Sequence, residues 1–344
     1  MPRAYALLLA FLAVAARPLA AADWRFAVSG DSRDCGDVVM PAIAEKALAL
    51  GPQFYWHLGD FRRIYGIDAD VRHEPTFRSA PLGLPQYQDM AWDDFVDNQL
   101  RPFQGVPVFL GIGNHETIKP KSREEYVVRF SSWLSQPEVR DREGAHYHWR
   151  RGNVDFVNLD NATTDQFDAA QLDWLENRLA ADQADPAIAT VVVGMHESLP
   201  GSLASGHSME QSPRGVDSGT RAYEDLARLQ ASGKRVYVLA SHSHFFMEGV
   251  FNSPRWRRSR EILPGWIVGT AGAVRYPLPD DAKEAVKAET KVYGFLLGTV
   301  SPDGQIAFDF QRVEEKDVPA AVKERFTPDF VRWCFVENDE LGKR

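Results

Sequence analysis

The sequence predicts an α/β protein built on mixed β-sheets. Short apolar runs rich in Val and Phe recur along the chain, as strands covered on both faces require. Amphipathic helical patterns alternate with these runs. Two turn signals, Arg151-Gly152-Asn153 and Pro302-Asp303-Gly304, join apolar runs as hairpins, so some neighbouring strands are antiparallel.

Taken in order, strands are expected at residues 24–29, 54–58 and 106–110. A hairpin follows at 146–150 and 154–159, then strands at 189–193, 235–240 and 266–268. The last hairpin pairs 292–300 with 305–311. A helix over 38–50 stops at Gly51-Pro52, and one over 221–231 ends near Gly233. The clearest helix spans 169–181: Asp168 caps it, Gln171 completes a capping box, and Phe167 staples onto Leu172. Leu172, Leu175 and Leu179 form its buried stripe. Three long segments, 61–90, 197–218 and 252–260, each start just after a strand end. They are read as loops that wall a site.

A chain of 344 residues with 44% hydrophobic and 25% charged composition can bury one large core. Residues 1–22 read as a signal peptide: Arg3 precedes thirteen apolar residues, and Ala20-Ala21-Ala22 supplies the small-residue cleavage pattern. Thirteen falls short of the ~20 residues of a spanning helix, and no Cys follows for a lipid anchor. The expected organisation is a signal peptide over 1–22, one domain over 23–315 and a C-terminal extension over 316–344. The expected location is periplasmic or secreted, with no stable membrane anchor after cleavage. Loss of Arg3 and Arg17 takes the formal charge from −9 to −11, which argues against a nucleic-acid-binding face. Arg255, Arg257, Arg258 and Arg260 around Trp256 read as a solvated loop. Cys35 and Cys334 are an even pair that an oxidising compartment allows to bridge. Their spacing says nothing about proximity. Oligomeric state is left open.

Function is written at the strand ends. The runs close on Gly30-Asp31, Gly59-Asp60, Gly113-Asn114-His115-Glu116, Gly194-Met195-His196 and Ser241-His242-Ser243-His244. In open α/β sheets the carboxyl edge is where ligands bind. Carboxylate, amide oxygen and imidazole together suit divalent Mn, Fe or Zn. His242 and His244, two apart on an extended segment, share one face.

In this order the motifs resemble the calcineurin-like metallophosphoesterase superfamily, including its purple acid phosphatase-like secreted members. The likeness runs from Trp24 to about Val313 and takes in Gln171-Leu172-Asp173-Trp174-Leu175 and Gly269-Thr270-Ala271-Gly272-Ala273. It implies two mixed β-sheets packed face to face and flanked by helices. It also implies two divalent metal ions, with Asp60 bridging both, Asp31 and His244 on the first, and Asn114, His196 and His242 on the second. Such a centre hydrolyses phosphate mono- or diesters of small molecules with metal-activated water. By the same resemblance His115 is catalytic, a general acid at the leaving oxygen, and Glu116 orients its loop.

One departure stands out. Many family members carry Asp-x-His in the first motif; here the third position is Arg33. A guanidinium cannot ligate a cation. The Tyr that the purple acid phosphatase branch places three residues after the second Asp is Arg63 here, leaving Tyr65, Asp34 and His57 as possible substitutes. His57 reads better as a packed residue. Arg33 is expected to clamp the substrate phosphate beside a first metal with only three protein ligands. The alternative is a weak or empty first site, leaving either a mononuclear enzyme or a phosphoester-binding protein with little or no turnover. A Gly-Asp-Ser esterase using Ser32 would need a late Asp-x-x-His. The chain has only Asp70 to His73, early, and no His after His244. His207 reads as a loop residue.

Overall fold

The computed structural model describes residues 22–162 and 166–340. The expected signal peptide, apart from Ala22, lies outside the described residues. Thirteen strands are described: β1 (Trp24–Ser29), β2 (Tyr55–His57), β3 (Val108–Leu110), β4 (Val139–Glu143), β5 (His146–Arg151), β6 (Val154–Asn158), β7 (Thr190–Gly194), β8 (Arg235–Ala240), β9 (Phe246–Glu248), β10 (Gly265–Val268), β11 (Lys287–Glu289), β12 (Tyr293–Val300) and β13 (Ile306–Val313). Every strand read from the sequence is present, with ends shifted by a few residues at most. The unforeseen strands β4, β9 and β11 are short or charged. β4 and β11 are edge strands, which are defined by a neighbour's hydrogen bonds rather than by apolar side chains.

The first sheet has the order β13-β12-β1-β2-β3 and the second β11-β9-β10-β8-β7-β6-β5-β4. β1, β2 and β3 are mutually parallel; so are β6, β7, β8 and β10. Both sheets are therefore mixed, and in each the parallel strands deliver their carboxyl ends to one rim.

Side-chain alternation explains the layering. Phe26, Phe54 and Phe109 from the first sheet and its flanks meet Phe156 and Trp149 of the second: Phe26 lies edge-on to Phe156 at 5.0 Å, and Phe109 stacks on Trp149 at 4.0 Å. The next residues point the other way. Val157, Val191, Val193, Val236 and Val238 pack with Leu172, Leu175, Leu179 and Leu226, which lie on helices Ala169–Ala184 and Pro213–Ala231. The helix Gly36–Ala49 lies against β12 and β13. Two mixed sheets thus pack face to face between helices, as the resemblance implies.

Several local expectations are corrected. Asp168 does cap its helix, accepting from Gln171 N at 2.8 Å, but Gln171 closes no capping box. Its side chain instead accepts from Asp160 N and donates to Asp160 O, both at 2.7 Å. Pinning the loop after β6, the Gln171 side chain satisfies two buried backbone groups, where in a capping box it would satisfy one. The helix expected at 221 begins at Pro213, capped by Ser212. Segment 61–90 carries helices Ala69–His73 and Pro75–Ser79 and the start of Leu84–Phe95. The basic cluster is not a loop but lies on and just after the helix Pro254–Ser259. There buried Trp256 stacks on Tyr223 at 3.6 Å.

Cys35 and Cys334 form a disulfide that ties the turn after β1 to the helix Pro328–Val336. Among the described residues no helix is long and apolar enough to cross a membrane. Replacing both cysteines with Ser is expected to lower the unfolding free energy by about 3–5 kcal/mol, given so long a closed loop. An unchanged urea midpoint would show that the C-terminal packing alone holds this end.

Candidate metal centre

β1 and β2 end in matching turns. Asp31 N donates to Gly59 O and Ser32 N to Asp60 O, both at 3.0 Å. Asp31 and Asp60 have φ of 61° and 62°, a left-handed conformation that Asp tolerates better than most residues. Gly59 has φ 97°, and a Cβ there would lie 2.4 Å from Gly113 N; only Gly fits. Glu116 braces this turn. Its Oε2 accepts from Asp60 N and Gly113 N, each at 2.8 Å, and its Oε1 from Phe61 N at 2.9 Å.

The second sheet brings His196 from the end of β7 and His242 and His244 from the end of β8. His196 Nδ1 faces Leu58 O at 3.0 Å and carries the ring proton there, so Nε2 presents a lone pair. Around Nε2 lie Asn114 Oδ1 at 3.0 Å, His242 Nδ1 at 3.1 Å and Asp60 Oδ1 at 3.3 Å. An imidazole lone pair beside a carboxylate oxygen is repulsive unless a proton or a cation lies between them. Burial opposes charge on His196, yet Asp60 and Asp31 outweigh it and pull its pKa up to about 10. The pocket demands positive charge. Asp60, His196 and His242 present ligand atoms within 4.8 Å of one another, and a metal-binding imidazole with its other N–H on a carbonyl is the usual arrangement. These residues and Asn114 fit a divalent ion.

Across Asp60 lies a second group. His244 Nδ1 donates to Val274 O at 2.6 Å, leaving Nε2 as a lone pair 3.1 Å from Asp31 Oδ1. Asp31 Oδ2 accepts from His242 N at 2.7 Å. Burial opposes ionisation of Asp31, but His244 and His196 hold its pKa down at about 2. Into this group projects Arg33, 6% exposed. Its Nη2 is 2.7 Å from His244 Nε2, its Nη1 2.5 Å from His115 Nε2 and its Nε 3.4 Å from Asp60 Oδ2. His115 Nδ1 faces Arg63 O at 2.8 Å, so the ring proton sits on Nδ1 and Nε2 accepts from the guanidinium. Burial and the adjacent Arg33 push the His115 pKa down to about 3.

Residues 25–246 match the sequence profile of the calcineurin-like phosphoesterase family. The chain belongs to that family. Among solved structures, this chain is similar to purple acid phosphatase PPD1 isolated from yellow lupin (Lupinus luteus) seeds, with 17% identity and a TM-score of 0.56 over 85% of this chain and 52% of that one. It thus spans about half the length of the lupin enzyme. It is also similar to GAP50, the anchor in the inner membrane complex of Plasmodium, with 12% identity and a TM-score of 0.51, over 92% of this chain and 96% of that one. At these identities the likeness is one of fold. No curated protein matches the chain.

The calcineurin-like fold therefore brings Asp31, Arg33, Asp60, Asn114, His115, His196, His242 and His244 to one rim. The suggested substitutes for the first-motif His make other contacts. Asp34 pairs with Arg63 at 3.2 Å, Tyr65 is 53% exposed beside His115, and His57 packs edge-on to Phe61. His57 Nδ1 accepts from Gly59 N, so its proton is on Nε2, 3.0 Å from Ser32 Oγ. That nitrogen cannot take a proton from Ser32, and Ser32 is fully buried. Of the three long segments, 61–90 supplies Arg63 O and Tyr65 next to His115. Segment 197–218 places His207 5.7 Å from His242, and 252–260 supports it through Trp256 Nε1 donating to Pro200 O. Sequence reading missed Tyr276, whose ring stacks on both His244 at 4.0 Å and His207 at 4.9 Å. No motif marks it.

Glu116→Gln puts an amide N–H₂ against a backbone N–H. It is expected to cost about 1–3 kcal/mol, the penalty for an unpaired buried donor, seen as a lower thermal midpoint. An unchanged midpoint would mean that the turn needs no brace.

Proposed function

We propose that the protein is an exported phosphoester hydrolase that cleaves phosphate mono- or diesters of small molecules with metal-activated water. The observation that carries this reading is the convergence of Asp60 Oδ1, Asn114 Oδ1, His196 Nε2 and His242 Nδ1, with the His196 proton committed to Leu58 O. These four atoms would hold a divalent ion. A divalent ion bound there supplies Lewis acidity and lowers the pKa of a water molecule. Asp31 fixes the backbone of His242 and the ring of His244. Arg33 offers the fixed positive charge that a phosphoryl group meets, in the manner of guanidinium–phosphate recognition. His115 lies against that guanidinium with its ring proton on Arg63 O, and its Nε2 is the ring atom that would take up a proton from the site and pass it to the leaving oxygen. Export is supported by the leader-like residues 1–22 and the Cys35–Cys334 disulfide. The phosphoesterase domain is assigned to 23–315 and the tail to 316–344.

A second reading, a phosphoester-binding protein with little turnover, is favoured by one observation: a guanidinium, not an open coordination position, faces Asp60 Oδ2. Fold likeness leaves both readings open, because one neighbour is named a phosphatase and the other an anchor.

Chromogenic phosphomonoester and phosphodiester substrates with added Mn²⁺ should be hydrolysed, with activity abolished by chelation and restored by metal. His115→Ala should lower kcat by about 10²–10⁴-fold while keeping its metal, and Ser32→Ala should stay within about threefold of the parent, since Ser32 takes no part. Substrate-analogue binding without turnover under any metal would establish the second reading instead.

A further inference from the structure

We infer that the Arg33 guanidinium occupies one of the two cation positions beside Asp60, so that the protein binds a single divalent ion per chain. The inference rests on the metal-centre reading above.

The argument is geometric. Asp60 is fully buried and its two oxygens face different groups of lone pairs. Oδ1 faces His196 and receives His115 N at 3.0 Å; on that side, with Asn114 and His242, no Arg or Lys pairs with Asp60 among the described residues. Oδ2 has no hydrogen-bond partner and faces Arg33 Nε at 3.4 Å. The acceptors on that side are His244 Nε2 and His115 Nε2, each within 2.7 Å of a guanidinium nitrogen. Asp31 Oδ1 lies 3.1 Å from the same His244 nitrogen. Each imidazole already spends its proton on a carbonyl, Val274 O or Arg63 O. Both nitrogens therefore need a donor or a cation, and Arg33 is the group that answers them. An ion at this position would have to sit within van der Waals reach of a permanent positive charge.

Charge balance points the same way. The Asp31 and Asp60 carboxylates exceed the Arg33 guanidinium by one negative charge, and one divalent ion turns this into a single positive charge. A second ion would stack three positive charges beside two fully buried carboxylates, at a steep electrostatic cost. Unlike a metal ion, the guanidinium cannot be stripped by a chelator.

The test is metal stoichiometry of the full chain after loading with excess Mn²⁺ and desalting, measured by elemental analysis and by electron paramagnetic resonance. One Mn²⁺ per chain with the six-line signal of an isolated ion is expected, falling to none in His196→Ala. Arg33→His, which exchanges the guanidinium for an imidazole, should raise the count to two and give an exchange-coupled signal. Two ions in the unmodified protein would overturn the inference and leave the phosphoesterase reading standing. No ion in the unmodified protein would overturn both. Folded Arg33→His that still holds one ion would show that the guanidinium is not what excludes the second; should that variant not fold, the count in the unmodified protein decides alone.

Discussion

A carboxylate with no exposed surface sits where the two sheets meet, and the site is organised around balancing its charge. Asp60 is far too buried to be solvated, and isolated buried charges are among the costliest features a fold can carry. Burial opposes its ionisation, yet His115, His196 and Arg33 hold its pKa well below the usual carboxylate range. Backbone help is limited to one N–H, from His115. The rest must come from cations, and the two oxygens are served differently: one faces a nest of lone pairs, the other a guanidinium.

Placing that carboxylate requires parallel strands. Only neighbours that run the same way end at the same rim, and β1 and β2 do so with identical Gly-Asp turns hydrogen-bonded to one another. The second sheet reaches the same point from across the core: His196 Nδ1 and Ser241 Oγ both donate to Leu58 O, and Gly30 N donates to Val268 O. The rim is thus a seam between sheets. A shift of either sheet would open the lone-pair nest and break these bonds together.

The legible part of this architecture was the part that repeats. Gly-Asp after an apolar run occurs twice, and Gly-Asn-His-Glu and His-x-His follow at further strand ends; backbone geometry alone then sends their side chains to one place. Central strands were equally plain, because burial on both faces enforces continuous apolar runs. What escaped was set by tertiary partners. Gln171 sits at a capping-box position but is captured by Asp160, and β11, Lys-Ala-Glu, is a strand only because β9 pairs with it. Tyr276 carries no motif at all; its place between His244 and His207 follows from Tyr276 N bonding His244 O at 3.2 Å. The Cys35–Cys334 pairing was allowed by the even count but not decided by it, since it depends on the tail folding back over the whole chain.

Arg33 shows how a departure from a pattern acquires meaning only with its surroundings. A long, flexible cation would be free to leave the site if the turn that bears it were loose. It is not. Arg62, fully buried, bonds Asp37, Asp70 and Asp94 together, and Asp68 accepts from Asp34 N at 2.7 Å and Arg63 N at 3.2 Å. The turn after Asp31 and the turn after Asp60 are thereby knitted into one block, so Arg33 and the Arg63 carbonyl that orients His115 move as a unit. Breaking such a buried network by removing one partner costs about 3–5 kcal/mol, more than the ~1.5–2 kcal/mol of rotamer freedom that one released Arg side chain would regain. The guanidinium is therefore held against His115 and His244 by the fold itself, and the segment that looked like an inserted loop is the frame that holds it there.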